Sequence, residues 1–302
     1  FRKCSCRSSI LLRIIDMPNL KEIRNRISSV TSTMKITSAM KMVSAAKLKK
    51  AQDAVTATRP YSEKLGELMS SFYEIISTSS VSQLSEKRDI KNVLLIPICS
   101  NKGLCGAFNS NVIKKAISLK NKPNFSKAKF SFLIIGKKAN DIISKTENVI
   151  SNHSDIFENI NYDDTASTVD SIIELFSNGE FDHVELIYNT FKNAANQTTI
   201  TEQFLPISKP EGTEVLSDYI FEPSMEQIVS DLVPKSLKIQ LYKAIRDSFA
   251  GEHGARMTAM HKATDNASEL KSELVLTYNK ARQAAITNEI LEIVSGAEAL
   301  NG

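Results

Sequence analysis

Three groups of residues have the types and spacing from which chemistry is built. The first is KGLCG at residues 102–106, which follows an apolar run and precedes an amphipathic stretch. A turn between a strand and a helix is where phosphates are cradled, but this one is neither GxGxxG nor GxxxxGK[ST]. Cys105 inside it would gain nucleophilicity from a helix N-terminus, yet no base accompanies it in sequence. The second group is the thiols and imidazoles: Cys4, Cys6, Cys99 and Cys105, with His153, His183, His253 and His261. They form no CxxC pair and no zinc spacing, so the cysteines read as free thiols of a reducing compartment. Of the histidines only His253 and His261 share a segment, and no acid or cysteine frames them as ligands. The expectation is no catalytic residue, no metal, no cofactor and no thiol switch.

The third group is charge. Nine Lys/Arg stand between Met17 and Pro60 against Glu22 and Asp53, within a chain of net charge +4. A basic helix attracts phosphates or acidic protein loops, with strong salt dependence in the first case. No Phe, Tyr or Trp lies between those bounds to stack on bases. Two readings follow: a subunit set among acidic partner loops, or a basic coiled-coil nucleic-acid-binding protein. A salt-sensitive shift of DNA at moderate ionic strength separates them.

The elements that position these residues follow from periodicity. The chain has 302 residues, 42% of them apolar and 24% charged, a globular composition. No stretch reaches the roughly 20 apolar residues of a membrane helix. Residues 1–16 are Arg- and Ser-rich and acid-poor, like a transit peptide, but Met17-Pro18 resembles a natural start, so translated upstream sequence reads equally well. They are set aside as a non-core extension. From Leu20 the apolar positions are Leu20, Ile23, Ile27, Val30 and Met34, the 3–4 seam of a coiled coil. The seam is expected to continue less cleanly through Met40, Val43, Ala46 and Val55, and to resume beyond Pro60. Residues 77–85, rich in Ser and Thr, read as a linker.

Strands are predicted at 91–100, 130–136 and 183–191, with extra strands at 198–205 and 218–221. Helices are predicted at 104–120, 137–145 and 165–177, an alternation that implies an α/β domain with a largely parallel, Rossmann-like sheet. From residue 222 the chain is helical again. Pro234 is expected near the start of that helix, and Gly251 and Gly254 are weak points within it. Leu270, Leu274, Tyr278, Ala281 and Ala285 mark its seam, with Ile286, Ile290, Ile293 and Ala297 one register over. At 1.5 Å per residue the two terminal helices would span ~60 Å and ~100 Å. A domain of radius roughly 15–20 Å cannot seat them flat, and helices of that length need a packing partner. The expectation is an antiparallel coiled coil of the N- and C-terminal helices, with domains at 17–78, 79–222 and 223–302. Pairing of each helix with another chain is the alternative.

Four blocks carry a resemblance: ITSAMKMVSAAKLKKAQ (residues 36–52), SNKGLCGAFNS (100–110), ARMTAMHKATDNA (255–267) and YNKARQAAITNEILEIVSGAEAL (278–300). In this order they resemble the γ-subunit family of F-type ATP synthases, over essentially residues 17–300, with a bacterial cast to the opening. The resemblance implies a non-catalytic central-stalk rotor. Its coiled coil would run up a head of alpha and beta subunits, and its base would sit on the membrane c-ring beside the epsilon subunit. Proton-driven rotation would then drive ATP synthesis or hydrolysis in the head. The family's contacts with the catalytic head fall on Met40, Arg256, Arg282, Gln283, Thr287, Glu289 and Glu292. Those with the c-ring and epsilon fall on Tyr219, Phe221 and Glu222. The implied location is the inner (plasma) membrane, peripheral and on its cytoplasmic side, with the mitochondrial inner membrane, matrix side, as the alternative. Asn101-Lys102 and Ala107 depart from the Asp-Arg and second glycine that the family pattern leads one to expect.

Overall fold

The computed structural model describes residues 20–72, 76, 82–86, 88–125, 128–193, 196–208, 222 and 224–301. They fall into two compact units, one built from both chain ends (up to Ser38 and from Lys262) and one spanning Ala39–His261. Two long helices, α1 (Leu20–Ser71) and α5 (Met225–Asn301), contribute to both units.

In the first unit α1 and α5 pair. The Arg24 guanidinium donates to the Tyr278 hydroxyl at 2.8 Å, and the hydroxyls of Thr37 and Thr264 meet at 2.8 Å. Partner numbers on α5 fall as those on α1 rise, so the helices run antiparallel. The less exposed positions of α1 are Leu20, Ile23, Ile27, Val30, Met34 and Thr37, spaced 3 and 4. On α5 they are Ala267, Lys271, Leu274, Tyr278, Ala281 and Ala285. Leu270, read from sequence as seam, is 46% exposed. Lys271 takes its place, its long stem covering apolar surface while the ammonium stays wet.

The second unit holds the rest of α1 and the α/β fold. Here the 3–4 register of α1 continues unbroken through Lys41, Ser44, Leu48, Ala51 and Val55. It does not pass through Met40, Val43 and Ala46: Val43 is 58% exposed, Ala46 is exposed and Met40 half-buried. A polar seam residue is tolerated because Ser44 donates its hydroxyl to the Met40 carbonyl at 2.7 Å, so its burial strands no polar group. Leu48, Ala51 and Val55 cluster with Ala250 of α5. The helix passes through Pro60, whose exposed flank leaves the lost backbone bond to water. Pro234 likewise lies well inside α5, which starts at Met225.

The sheet has five strands in the order β3-β2-β1-β4-β5. They are β1 (Asn92–Pro97), β2 (Lys129–Ile134), β3 (Val149–Asn152), β4 (His183–Phe191) and β5 (Gln197–Leu205). The first four are parallel, while β5 pairs antiparallel with β4. Helices α2 (Phe108–Leu119), α3 (Lys137–Ile143) and α4 (Tyr162–Ser177) provide the crossovers. Strand β3 was not visible in the sequence: four residues at a sheet edge, half-buried and exposed in turn, carry too little signal. The strand expected at 218–221 lies outside the described residues.

Strand β1 is apolar throughout because both its faces are covered. Val93 and Leu95 join α2 and α3 in one core, with Ile113, Ala116, Ala139 and Ile143. Leu94 and Ile96 face the other core, which α4 supplies with Val169, Ile172 and Phe176. That second core also takes Met69, Phe72 and Ile76 from the α1 side and Val229, Val233, Leu237 and Leu241 from α5. Segments that precede the strands and segments that follow them therefore both help to cover the sheet.

Candidate functional site

Strand order reverses between β1 and β4, and α/β sheets bind ligands in the crevice beyond the strand ends at that reversal. In this chain α5 fills it. A Cβ placed on Gly251 would lie 3.2 Å from Cε2 of Phe108 and 3.5 Å from Cγ of Gln197, so the helix approaches on bare backbone. Ser248 donates to the Ile98 carbonyl at 3.5 Å, and Asn189 donates to the Phe108 carbonyl at 3.2 Å. Gly251, a weak point on propensity, is what lets α5 close over the sheet.

One turn further along α5 lies a buried cluster of charge. Arg256, Glu252 and His253 are 7%, 6% and 5% exposed. The Arg256 guanidinium pairs with Glu252 at 2.7 Å. Its Nε donates to the Gly103 carbonyl at 3.1 Å, and Nη2 donates to the carbonyls of Lys102 and Gly103 at 3.0 and 3.1 Å. Nη1 lies 3.4 Å from Nδ1 of His253. Burial pushes the Glu252 carboxyl up, while Arg256, Lys47 and Lys102 pull it back. Burial, then Arg256 and Lys47, lower the His253 imidazole to about 4, so it is neutral at pH 7.

The loop that Arg256 meets is 98–107, the KGLCG turn. The Ser100 hydroxyl donates to the Lys102 carbonyl at 2.6 Å, and the Ser100 amide donates to Oδ1 of Asn109 at 3.0 Å. Asn101 donates to the Ser154 carbonyl at 2.8 Å and accepts from the Lys137 amide at 2.9 Å. Leu104 has φ 64° and Gly106 φ 61°. Cys99 and Cys105 are free and buried. Burial raises the Cys105 thiol, outweighing the hydrogen bond with Ser100 and the nearby charge of Arg256, which lower it. The loop is held by α2, α3 and α5 while Lys102, Leu104, Gly106 and Ala107 remain exposed.

The residues expected to meet partners are distributed unevenly. Arg282, Gln283, Thr287, Glu289 and Glu292 are all exposed, near the end of α5. Leu20 lies four residues before Arg24 and so faces α5 near Arg282, beyond which no described residue of α1 stands opposite. The stretch is nevertheless apolar: Ile286 is 48% exposed, Ile290 54%, Leu291 58% and Ile293 71%. Met40 is half-buried, and Arg256 is the buried residue just described. Glu222 is exposed, while Tyr219 and Phe221 lie outside the described residues. Sequence reasoning missed Glu252 as the partner of Arg256. The i, i+4 spacing was the available signal.

The crevice of the sheet is filled by α5, and the described end of α5 presents exposed apolar residues, a surface for other proteins. The profile of the ATP synthase family matches residues 19–300. An ATP synthase gamma chain of Flavobacterium johnsoniae is 62% identical over 289 residues, covering 95% of this chain and all of that one. One from Cytophaga hutchinsonii is 49% identical over 296 residues, covering 94% and 100%. In fold, the chain resembles the central stalk and c-ring structure of Tetrahymena thermophila mitochondrial ATP synthase. There the TM-score is 0.55 at 26% identity, over 76% of this chain and 99% of the other. The fold is also that of a chain in the OSCP/F1/c-ring structure of the Euglena gracilis enzyme, with a TM-score of 0.67 at 21% identity over 93% and 94%. The chain belongs to the ATP synthase gamma chain family. The nucleic-acid-binding alternative finds no support among these relatives.

Proposed function

We propose that this chain is the non-catalytic central-stalk rotor of a bacterial ATP synthase, coupling proton-driven rotation to ATP synthesis or hydrolysis in a separate catalytic head. The observation that carries this reading is the end of α5. Ile286, Ile290, Leu291, Ile293 and Val294 stand 48–71% exposed on a helix that no described part of the chain covers. An apolar surface of that kind marks an interaction site. A sleeve of alpha and beta subunits is the occupant that fits a bare helix end.

Around that sleeve Met40, Arg282, Gln283, Thr287, Glu289 and Glu292 meet the loops of successive subunits. Arginine and carboxylate side chains suit the task, because charge-assisted bonds can be remade as each new loop arrives. A rotor that makes different contacts with each catalytic site biases each site's equilibrium by the difference in contact free energy. Tyr219, Phe221 and Glu222 form the foot on the c-ring and epsilon subunit. By this reading the chain is peripheral to the plasma membrane, on its cytoplasmic face. No helix among the described residues is long and apolar enough to cross a membrane.

The test is reconstitution of the full chain with purified alpha and beta subunits, measuring ATP hydrolysis with and without it. Assembly and turnover should depend on the chain, and Arg282→Ala or Gln283→Ala should reduce turnover several-fold. A head that neither binds the chain nor responds to it would overturn the reading.

A further inference from the structure

We infer that Arg256 acts as an internal clasp, fixing α5 to the 98–107 loop so that torque passes between the α/β domain and the helix; this rests on the rotor reading above. Arginine carries five N–H donors and no acceptor. Here Nε and Nη2 serve the carbonyls of Lys102 and Gly103, Nη2 also holds Glu252, and Nη1 faces His253. At 7% exposure, little of the side chain is left for a partner protein. An arginine so engaged would have to break its own network to meet a head subunit. Its place in the family pattern therefore reflects the joint rather than an outward contact.

The acceptors matter as much as the donor. Lys102 and Gly103 precede Leu104, which takes the left-handed conformation at φ 64° although it is a bulky residue and 59% exposed. Leucine rarely adopts that conformation unless surrounding bonds enforce it. The enforcing bonds come from three directions: Arg256 on α5, Ser100 with Asn109 on α2, and Asn101 with Ser154 and the Lys137 amide of α3. The loop is the direct continuation of β1, the central strand, so what holds it holds the sheet.

The physical distinction is between two kinds of contact on α5. Val229, Val233, Leu237 and Leu241 bind the helix to the sheet through apolar packing. Such attraction is non-directional and resists separation far better than sliding or rotation. The Arg256 bonds are directional and weaken steeply as they misalign. They fix the axial position and the rotation of α5 on the sheet, the two displacements that torque would drive.

The experiment uses the complete ATP synthase in sealed vesicles, with Arg256→Lys, Glu252→Gln and Ser100→Ala chains, and Arg282→Ala as the comparison. Lysine keeps the charge but cannot reproduce the planar fork. Arg256→Lys should leave ATP hydrolysis within about twofold of wild type while ATP-driven proton pumping per ATP falls several-fold. Arg282→Ala should instead lower hydrolysis and pumping together. On the purified full chain, amide exchange at Leu104 and Cys105 should quicken at least tenfold in Arg256→Lys and less in Glu252→Gln. Unchanged exchange in Arg256→Lys, or an unchanged pumping-to-hydrolysis ratio, overturns the clasp. If Arg256→Lys fails to fold, Ser100→Ala loosens the same loop from its other side and must show the same pair of effects. A wild-type chain that fails to support activity would refute the rotor reading instead, and the exchange measurement would still decide whether the clasp exists.

Discussion

At the scale of single residues, the joint between α5 and the 98–107 loop makes stability depend on pH. His253 is buried against Phe249, their rings 4.6 Å apart, and it faces the cations of Arg256 and Lys47. Its folded-state value of about 4 lies below the ordinary value of 6.5, so the native state binds this proton less readily than the unfolded chain. Stability from this group is complete above pH 6.5 and is lost as pH falls from 6.5 through about 4. Replacing it with glutamine should flatten the slope of unfolding free energy over that window, measured by urea titration at several pH values. An equal slope in the two chains would show that another group dominates. At this scale the sequence was least informative. KGLCG could be dismissed as a phosphate loop by spacing alone, but nothing local revealed that Arg256 would turn inward. Glu252 lies at i, i+4, but the carbonyls that draw Arg256 onto the loop lie more than 150 residues away and carry no side-chain signature.

At the scale of elements, the seam of α1 was legible from Leu20 to Met34 because its residues are apolar as well as correctly spaced. Beyond that the spacing persisted while the chemistry changed, and Thr37, Lys41 and Ser44 occupy seam positions that hydropathy assigns to solvent. Packing set the register there, and of the apolar residues expected to carry the seam, Val43 is 58% exposed and Ala46 is exposed. At the end of α5 the seam expected one register over, Ile286, Ile290, Ile293 and Ala297, is exposed instead and meets no described residue of the chain. This has a measurable consequence. A chain ending at Ala285 discards only residues that pack on nothing described in the molecule, so its melting temperature should stay within about 2 °C of wild type. Its ability to support ATP hydrolysis by the head should drop by an order of magnitude or more. A large loss of thermal stability would mean that the helix end is held by the chain itself.

For the whole molecule, the α/β reading came from alternation of strands and helices, and the sheet appeared with β3 added. What alternation could not show is that the sheet borrows its cover. Met69, Phe72 and Ile76 precede the strands, Val229 to Ile245 follow them, and all pack on one face of the sheet. A fragment of residues 79–222, cut where composition suggests a domain, would leave that face covered by Tyr162–Ser177 of α4 without the residues of α1 and α5. It should show no cooperative urea transition, by fluorescence or circular dichroism, while the full chain unfolds cooperatively. A sharp transition in the fragment would mean that the inner helices suffice.

That borrowed cover also sets an order of events on the ribosome. Strands β1 to β5 are complete by Leu205, yet the helix that closes their face begins at Met225 and needs Leu241, Ala244 and Ile245 before it is seated. Synthesis adds about 5–20 residues each second, and tens of residues still lie within the exit tunnel when these are made. For several seconds the nascent chain carries its five strands without the part of the apolar cover that α5 supplies. In that interval the uncovered apolar residues are open to wrong association, which slow translation would prolong.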